Sequence, residues 1–279
     1  MKRPIILGIG EIVWDCLPGG RKLGGAPVNF AYHAQRLGAD SYPVSAVGKD
    51  DLGRETLEIC GSYGLRTNYL QENDLPTSRV LVSLDAQGVP KFEILQNVAW
   101  DALKTSMALM DLASKADAVC WGSLAQRSEP SRAAILKILD AVPAKAIKVF
   151  DINLRQHYYS KEIIEESLKR ASVLKLNEDE LPVLLELLKM KDIPEVISRY
   201  SLDYLIHTKG ANGSEVYTKR GLVSSLDTPK VEVVDTVGAG DSFTAAFVMS
   251  ILKGESTAAA HAKAVEVSAL VCQSAGAII

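Results

Sequence analysis

The sequence predicts an α/β protein in which helices flank a mostly parallel central sheet. Short runs rich in β-branched residues alternate with segments of helical length and period, which is typical of βαβ units. The runs are continuously apolar, as expected of strands that are buried on both faces of a sheet. With 279 residues and 47% hydrophobic content, the chain can bury a large core, and we expect one domain over residues 1–279.

The parallel strands are predicted from apolar runs such as "IILGIG" and "DYLIHT". Their ranges are 5–10, 41–48, 117–123, 147–154, 172–177 and 203–208. The helices lie between these strands, and several open on Asp, Asn or Ser and close on Gly. Their ranges are 27–37, 50–63, 105–115, 130–141, 161–170, 178–190 and 193–201, with two more near 240–253 and 257–274.

Three segments break this alternation. Residues 78–95, "SRVLVSLDAQGVPKFEIL", read as two strands around an Ala-Gln-Gly turn, and residues 11–20 form a third extended piece. We expect these pieces to form a small sheet that projects from the main one. A further hairpin, at 214–226, follows the last parallel strand.

Composition narrows the class of partner. The net charge is −3 and there is no long basic or acidic run, so nothing indicates nucleic acid or an anionic membrane surface as a partner. The four cysteines form no C-x-x-C pair, which argues against a disulfide framework and a zinc site. No apolar run is long enough to span a membrane and none resembles a signal peptide, so we expect a cytoplasmic protein that binds a small molecule.

The segment "VDTVGAGDSF" carries the clearest chemical signal. Gly238 and Gly240 permit a tight turn in which backbone N–H groups converge, and the helix that begins there adds its own unpaired N–H groups. Such a nest binds anions. The alternative interpretation is an ordinary turn in which Asp241 or Ser242 caps the helix.

A carboxylate at an anion-binding turn suits phosphoryl transfer. The chain has no P-loop motif, and "GAGDSF" lacks the third glycine and the N-terminal strand setting of a dinucleotide fingerprint. In phosphoryl transfer, by contrast, the N–H groups hold the developing charge while the carboxylate accepts a proton from the attacking hydroxyl. We therefore interpret Asp241 as a general base.

The motifs together resemble those of the PfkB, ribokinase-like, family of carbohydrate kinases. The segments "GEIVWD", "GGAPVNFAYHAQRLGA", "DINLR", "KLNEDE", "HTKGANGS" and "DTVGAGDSF" occur in the family's order over nearly the whole chain, and the second is most similar to fructokinases. The resemblance implies a ribokinase-like three-layer sandwich with a small β-sheet lid. It also implies an ATP-dependent kinase of a small sugar, with fructose as the first expectation.

The resemblance assigns residues to each part of this reaction. Asp15, Gly24, Gly25 and Asn29 match positions that bind sugar hydroxyls, although an Asx turn and a first helical turn would also explain Asp15 and Asn29. Arg155 matches a contact to sugar or phosphate; a surface ion pair is the alternative. The turn of Gly238, Ala239 and Gly240 would stabilise the transferred charge beside Asp241.

The nucleotide and cation positions follow in the same way. Asn177 and Glu180 match an N-x-x-E motif that organises the water shell of Mg²⁺, and the same spacing fits a helix capping box. Thr208, Gly210, Gly213 and Cys272 match the nucleotide site, although the glycines also suit a turn. Asp235 matches a site for a monovalent cation such as K⁺ in some relatives, or a turn-initiating aspartate.

Alternatives to a fructose kinase remain open at this point. The acceptor could be ribose, a keto-deoxy sugar acid or a nucleoside, and Trp14, Phe92 and Tyr158 keep the nucleoside open. A different class is a non-catalytic sugar or nucleotide sensor.

The alternating lid strands need a partner for their apolar side, which predicts a homodimer through the lid.

Overall fold

The computed structural model describes residues 2–17, 20–84 and 90–279, and the side chains of all of these except 17, 82–84 and 90–92. Two sheets and a set of flanking helices make up the described part. The strands are β1 (Ile5–Ile9), β2 (Val13–Leu17), β3 (Gly20–Gly24), β4 (Asp40–Gly48), β5 (Leu70–Asn73), β6 (Arg79–Leu84), β7 (Pro90–Ile94), β8 (Ala118–Trp121), β9 (Ile147–Asp151), β10 (Val173–Asn177), β11 (Tyr204–Thr208), β12 (Ser214–Thr218) and β13 (Gly221–Leu226). The helices are α1 (Ala26–Arg36), α2 (Asp51–Ser62), α3 (Met107–Ala113), α4 (Glu129–Ala141), α5 (Lys161–Leu168), α6 (Glu180–Leu188), α7 (Ile193–Tyr200), α8 (Ala239–Leu252) and α9 (Thr257–Val271).

The large sheet has the strand order β13-β12-β11-β10-β9-β8-β1-β4-β5. Every pairing from β5 to β11 is parallel, and the hairpin of β12 and β13 adds an antiparallel edge. The central strands are buried along their whole length, as in Ala118–Trp121, which is why their sequences are continuously apolar. The predicted parallel sheet is therefore confirmed, with strand ends that differ by a few residues.

Helices cover both faces of this sheet. Helices α1, α8 and α9 pack on one face through residues such as Phe30, Phe247 and Ala260. On the opposite face lie α4, α5, α6 and α7, whose buried side chains include Ile135 and Val196. This gives the predicted layers of helix, sheet and helix. None of the helices in the described ranges is both long and apolar enough to cross a bilayer.

The smaller sheet has the order β3-β2-β6-β7. It contains the segments 11–20 and 78–95 that the sequence predicted to project together. The sequence did not reveal β3, because "GRKLG" has no β-branched residue, and it also missed the short β5. The predicted Ala-Gln-Gly turn at 86–88 lies outside the described residues.

The strand order positions the site. The chain runs outward from β1 through β4 to β5 and then restarts at β8 on the other side of β1. Ligands of open α/β sheets bind in the crevice outside the carboxyl ends of the strands at such a switch point. Glu11 follows β1, Arg155 follows β9 and Asn177 ends β10, so these side chains are carried to one edge of the sheet.

Candidate active site

A cleft of about 1260 Å³ opens at this edge and collects most of the predicted site residues. It extends from the small sheet to the loop between β13 and α8. The predicted residues that line it are Asp15, Gly24, Gly25, Asn29, Arg155, Asn177, Thr208, Gly210, Gly213, Gly238, Ala239, Gly240, Asp241 and Cys272. Glu180 and Asp235 lie outside this lining.

The glycine turn begins helix α8. Gly238 is the N-cap with φ of +79°, and a Cβ there would lie 2.4 Å from the Cβ of Ala277, so glycine is required for both conformation and space. The Ala239 N–H donates to Thr236 O at 3.2 Å. The amides of Gly240 and Asp241 belong to the first helical turn, where no preceding turn supplies an acceptor. These are the amides that an anion at this turn would meet.

Asp241 is held at the mouth of this turn by α1. The Asn29 Nδ2 donates to Asp241 Oδ2 at 2.8 Å, which ties the first turn of α1 to the first turn of α8. The pKa of Asp241 is raised to about 6: burial is the largest cause and the charge of Asp151 adds to it, while the Asn29 hydrogen bond, Lys175 and Arg155 oppose the rise. A carboxyl with this pKa is ionised at neutral pH and is a stronger base than an ordinary aspartate.

Glu11 is a second buried carboxyl in the cleft, and sequence analysis did not identify it. Burial raises the pKa of Glu11 to about 7; hydrogen bonds from backbone amides and the charge of Arg155 oppose the rise, and Asp241 adds to it. Its Oε2 and the Oδ1 of Asn29 are both buried without a hydrogen-bond partner. The lone signal in the sequence was its place directly after a strand, at the edge where ligands collect.

The small-sheet end of the cleft is shaped by close backbone contacts. Gly25 has φ of +123°, and a Cβ there would lie 2.5 Å from Glu11 O, so the N-terminus of α1 can approach the residue after β1 only through glycine. Asp15 lies on β2 opposite Lys22 of β3. Burial raises the pKa of Asp15, and the charge of Arg155 opposes the rise. The exposed Arg155 thus places a positive charge near three carboxyls.

Asn177 and Glu180 form the capping arrangement that the sequence offered as one interpretation. Asn177 Oδ1 accepts from the amides of Asp179 and Glu180, each at 2.9 Å. The two carboxylate oxygens of Glu180 accept from the amides of Asn177 and Leu154, each at 2.8 Å. Glu180 therefore fixes the backbone where β9 and β10 end, while the neighbouring Glu178 and Asp179 line the cleft.

The opposite end of the cleft is formed largely by backbone. Gly213 has φ of +95°, and a Cβ there would lie 2.3 Å from Leu226 O. Cys272 O accepts from the amides of Val234 at 2.8 Å and Asp235 at 3.2 Å, which joins α9 to the loop before the glycine turn. Thr208 ends β11 beside this loop.

Asp235 lies behind the cleft rather than in its lining. Its Oδ1 accepts from the Val237 amide at 3.1 Å. Its Oδ2 accepts from the Gly276 amide at 2.9 Å and from Lys22 Nζ at 3.3 Å. The side chain therefore begins the turn, as one interpretation proposed, and also links that turn to β3.

Two further charged residues reach the cleft although sequence analysis gave them no role. Asp151 of β9 and Lys175 of β10 are register neighbours, and both line the cleft. Within the described ranges, no cluster of three or more His, Cys, Asp or Glu side chains has an arrangement that could hold a metal ion.

The chain is similar to known carbohydrate kinases over most of its length. Residues 16–279 match the model of the pfkB family carbohydrate kinases. Fructokinase-2 of Solanum habrochaites is 31% identical over 291 residues, covering 96% of this chain and 88% of its own length. A fructokinase of Escherichia coli is 31% identical over 265 residues, covering 87% and 83%.

Solved structures give the same result. An uncharacterized sugar kinase of Pyrococcus horikoshii, in complex with ATP, superposes with a TM-score of 0.83 and 27% identity, covering 98% of this chain and 93% of that one. The resemblance found in the sequence motifs is thereby confirmed, together with the ribokinase-like fold. This chain belongs to the PfkB family of carbohydrate kinases.

Proposed function

We propose that the protein transfers the γ-phosphoryl group of ATP to a primary hydroxyl of a small sugar, and that the sugar is fructose. The observation that carries the proposal is the position of Asp241. Its partly buried carboxylate, held by Asn29, lies in the same helical turn as the amides that can receive a phosphoryl group. A base and an anion site within one turn are what in-line transfer to a hydroxyl requires.

In the proposed reaction the acceptor oxygen bonds to the γ-phosphorus while the bond from that phosphorus to the bridging oxygen of ADP breaks. Asp241 takes the hydroxyl proton. The amides of Gly240 and Asp241 hold the charge on the transferred oxygens, and Arg155 adds a positive charge from the other side of the cleft. Asp15, Asn29 and the Gly24–Gly25 backbone orient the sugar.

The surroundings of the acceptor end support a small sugar over a nucleoside. Trp14 is buried, and its Nε1 donates to Thr56 Oγ1 at 2.9 Å. Tyr158 is also buried, and its hydroxyl donates to Ile94 O at 3.3 Å. Neither ring lines the cleft, and the side chain of Phe92 lies outside the described residues. Among the described residues of this region, the rings of Trp14 and Tyr158 are therefore not available for a nucleoside base to stack on.

Cation use follows from the donor set. ATP would carry Mg²⁺, whose charge neutralises the phosphates, and Asn177, Glu178 and Asp179 would face its water shell; Glu180 would support them by holding the backbone. We also propose that K⁺ binds near Asp235. Lys22 Nζ lies 3.3 Å from that carboxylate and would compete with the ion for it.

The cellular setting and assembly are also proposals. We infer a cytoplasmic, single-domain enzyme whose small sheet acts as a lid over the sugar and excludes water during transfer. The exposed Leu81 of β6, at 38%, supports a homodimer through this lid.

The test is a coupled assay of ADP release with fructose, ribose, a keto-deoxy sugar acid and a nucleoside as acceptors. We expect acceptor-dependent ADP release with the largest kcat/KM for fructose. A larger value for another acceptor would retain the kinase and reject fructose. No acceptor-dependent release with any of them, from protein that binds ATP, would favour the sensor over the enzyme.

A further inference from the structure

A buried ion pair lies beneath the glycine turn. Lys175 Nζ contacts the two carboxylate oxygens of Asp151 at 3.1 and 2.9 Å, and each residue is only 6% exposed. The two residues are direct register partners on the neighbouring strands β10 and β9. Because both backbones belong to the central sheet, this pair is fixed in place in a way that a surface pair is not.

The pair contacts the first turns of α8. A Cβ on Gly240 would lie 3.1 Å from Lys175 Nζ, so the ammonium group sits directly under the turn. One helical turn later, Thr244 Oγ1 lies 3.4 Å from Asp151 Oδ2 and 2.9 Å from Gly240 O. The helix start that carries Asp241 therefore rests on the ion pair.

Asp151 also approaches the base itself. Asp151, Asp241 and Thr244 line a small cavity of about 10 Å³ behind the glycine turn. Such a volume holds about one water molecule. The two carboxyls line the same small cavity, and like charges repel more strongly where solvent is scarce.

Within the described ranges, charged and polar groups on several neighbouring elements act on Asp241 or line its cavities. They include Glu11 after β1, Asn29 of α1, Cys120 of β8, Asp151 of β9, Arg155 after β9 and Lys175 of β10. Burial holds the pKa of the Cys120 thiol well above its ordinary value, and nearby Asp151 adds to this, so the thiol stays neutral. Burial opposes the charged form of Lys175, but Asp151 outweighs it and the pKa of Lys175 is raised. Lys175 is therefore charged at neutral pH.

Stability alone gives little reason for such a pair. Replacing a buried ion pair by apolar residues of similar size is often neutral or stabilising, because desolvation offsets the attraction of the two charges. The described part of the chain contains a comparable pair away from the cleft, Arg127 with Asp101 at 2.9 Å, whose side chains are 6% and 9% exposed. That pair provides a matched control.

We propose that the Asp151–Lys175 pair is a positioning unit for the transfer step: Asp151 makes Asp241 a stronger base, and Lys175 fixes a positive charge under the turn that receives the phosphoryl group. The inference rests on the proposed kinase function. Because the two charges act on Asp241 in opposite directions, their removal should have opposite effects.

The experiment is the pH profile of kcat/KM for the best acceptor in wild-type protein and in the Asp151→Asn, Lys175→Met and double variants. Removing the negative charge should move the acid limb to lower pH by about one unit, and removing the positive charge should move it to higher pH by a similar amount. In the double variant the limb should return toward the wild-type position. The Asp101→Asn/Arg127→Met control should leave it in place.

A purely structural role would lower activity or stability in these variants without moving the limb in opposite directions. The proposal would be overturned if the acid limbs of Asp151→Asn and Lys175→Met both stayed within about 0.3 pH unit of the wild-type limb while both variants fold and bind ATP. If a single variant does not fold, Lys175→Arg retains the charge and changes the geometry; we expect the limb to stay and kcat to fall at least fivefold, and an unchanged kcat would also overturn it. Absence of acceptor-dependent turnover in wild-type protein would instead reject the proposed function.

Discussion

The two ends of the cleft are lined by different kinds of groups. Around Asp241, which is itself partly buried, the polar atoms belong to the buried side chains of Glu11, Asn29, Asp151 and Lys175. At the end that we assign to the nucleotide, the lining includes glycines and apolar loop side chains, with Val233 and Val237 exposed by 59% and 45%, and the charged side chain of Lys230 is exposed. One end is defined by charge and the other by shape.

This difference determines how each end responds to substitution. Where charge defines the site, removing one group changes the proton affinity and orientation of its neighbours. Where main chain defines the site, a side-chain change matters only if it alters the backbone or fills the space. We therefore expect effects on catalysis that decrease from Asp241 toward Cys272.

The largest effect should come from Asp241→Asn. The amide keeps the shape and can still accept from Asn29, but it cannot take the acceptor proton, so kcat should fall by roughly 10² to 10⁴. ATP binding, measured by calorimetry, should change little. Asp74→Asn removes an exposed carboxylate outside the cleft lining and serves as the control, with no loss of kcat expected. Near-normal turnover of the Asp241 variant would remove the base assignment.

The next effect tests shape at the glycine turn. Gly238 and Gly254 have nearly the same φ, +79° and +80°, but a Cβ on Gly238 would meet Ala277 at 2.4 Å whereas Gly254 has open space. Gly254→Ala should therefore lower the free energy of unfolding only by the left-handed backbone penalty, about 1–2 kcal/mol. Gly238→Ala should lower it by about 1–3 kcal/mol more, because the added methyl overpacks the turn, and should also lower kcat.

Urea unfolding of both variants measures the comparison. Equal free energies of unfolding would mean that the Ala277 contact yields without strain, and that the turn is set by φ alone.

The sequence predicted the charged end only in part. The motifs located Asp241 and Asn29 because glycine turns and helix starts are local features. They did not reveal the Asp151–Lys175 pair, since pairing of residues on separate strands depends on the order and register of the sheet. Lys175 alone looked like an ordinary lysine near a strand end.

The sequence also did not reveal the buried carboxyl of Glu11 or the strands β3 and β5, because these features depend on tertiary contacts. Glu11 reads as a polar residue after a strand, and its buried carboxyl depends on how closely Gly25 lets α1 approach. Strands β3 and β5 were missed because each is stabilised by pairing with a neighbour rather than by its own propensity. The large sheet was predicted correctly because continuous apolar runs are a property of the sequence itself.

A smaller effect concerns the stability cost of keeping Asp241 ionised. Its pKa in the folded protein, about 6, lies above the ordinary value of 3.8, so the folded state binds a proton more tightly than the unfolded state. The unfolding free energy should therefore decrease as pH rises from about 4 to 6 and level off above that. Two pKa units correspond to at most about 3 kcal/mol, and partial exposure reduces this.

The measurement is the difference in unfolding free energy between Asp241→Asn and wild type at a series of pH values. The variant should be the more stable protein at pH 7.5, and its advantage should disappear near pH 4. The Asp241 charge also adds to the raised pKa of Glu11, so removing it lowers that pKa and changes the difference in the same direction. A difference that does not vary with pH would mean that Asp241 is not desolvated in the folded protein.

The smallest effect is expected at Cys272, where the main chain carries the contact. Its carbonyl oxygen holds the Val234 and Asp235 amides whatever the side chain is. Cys272→Ala should therefore change the ATP dissociation constant by less than about threefold and leave kcat unchanged. Cys272→Trp keeps the same main chain but fills the cleft, and should weaken ATP binding at least tenfold without moving the pH profile of kcat. Calorimetry with ATP measures both dissociation constants. If Cys272→Trp binds ATP as wild type does, the nucleotide does not occupy the space beside α9. The assignment of this end of the cleft to the nucleotide would then be wrong.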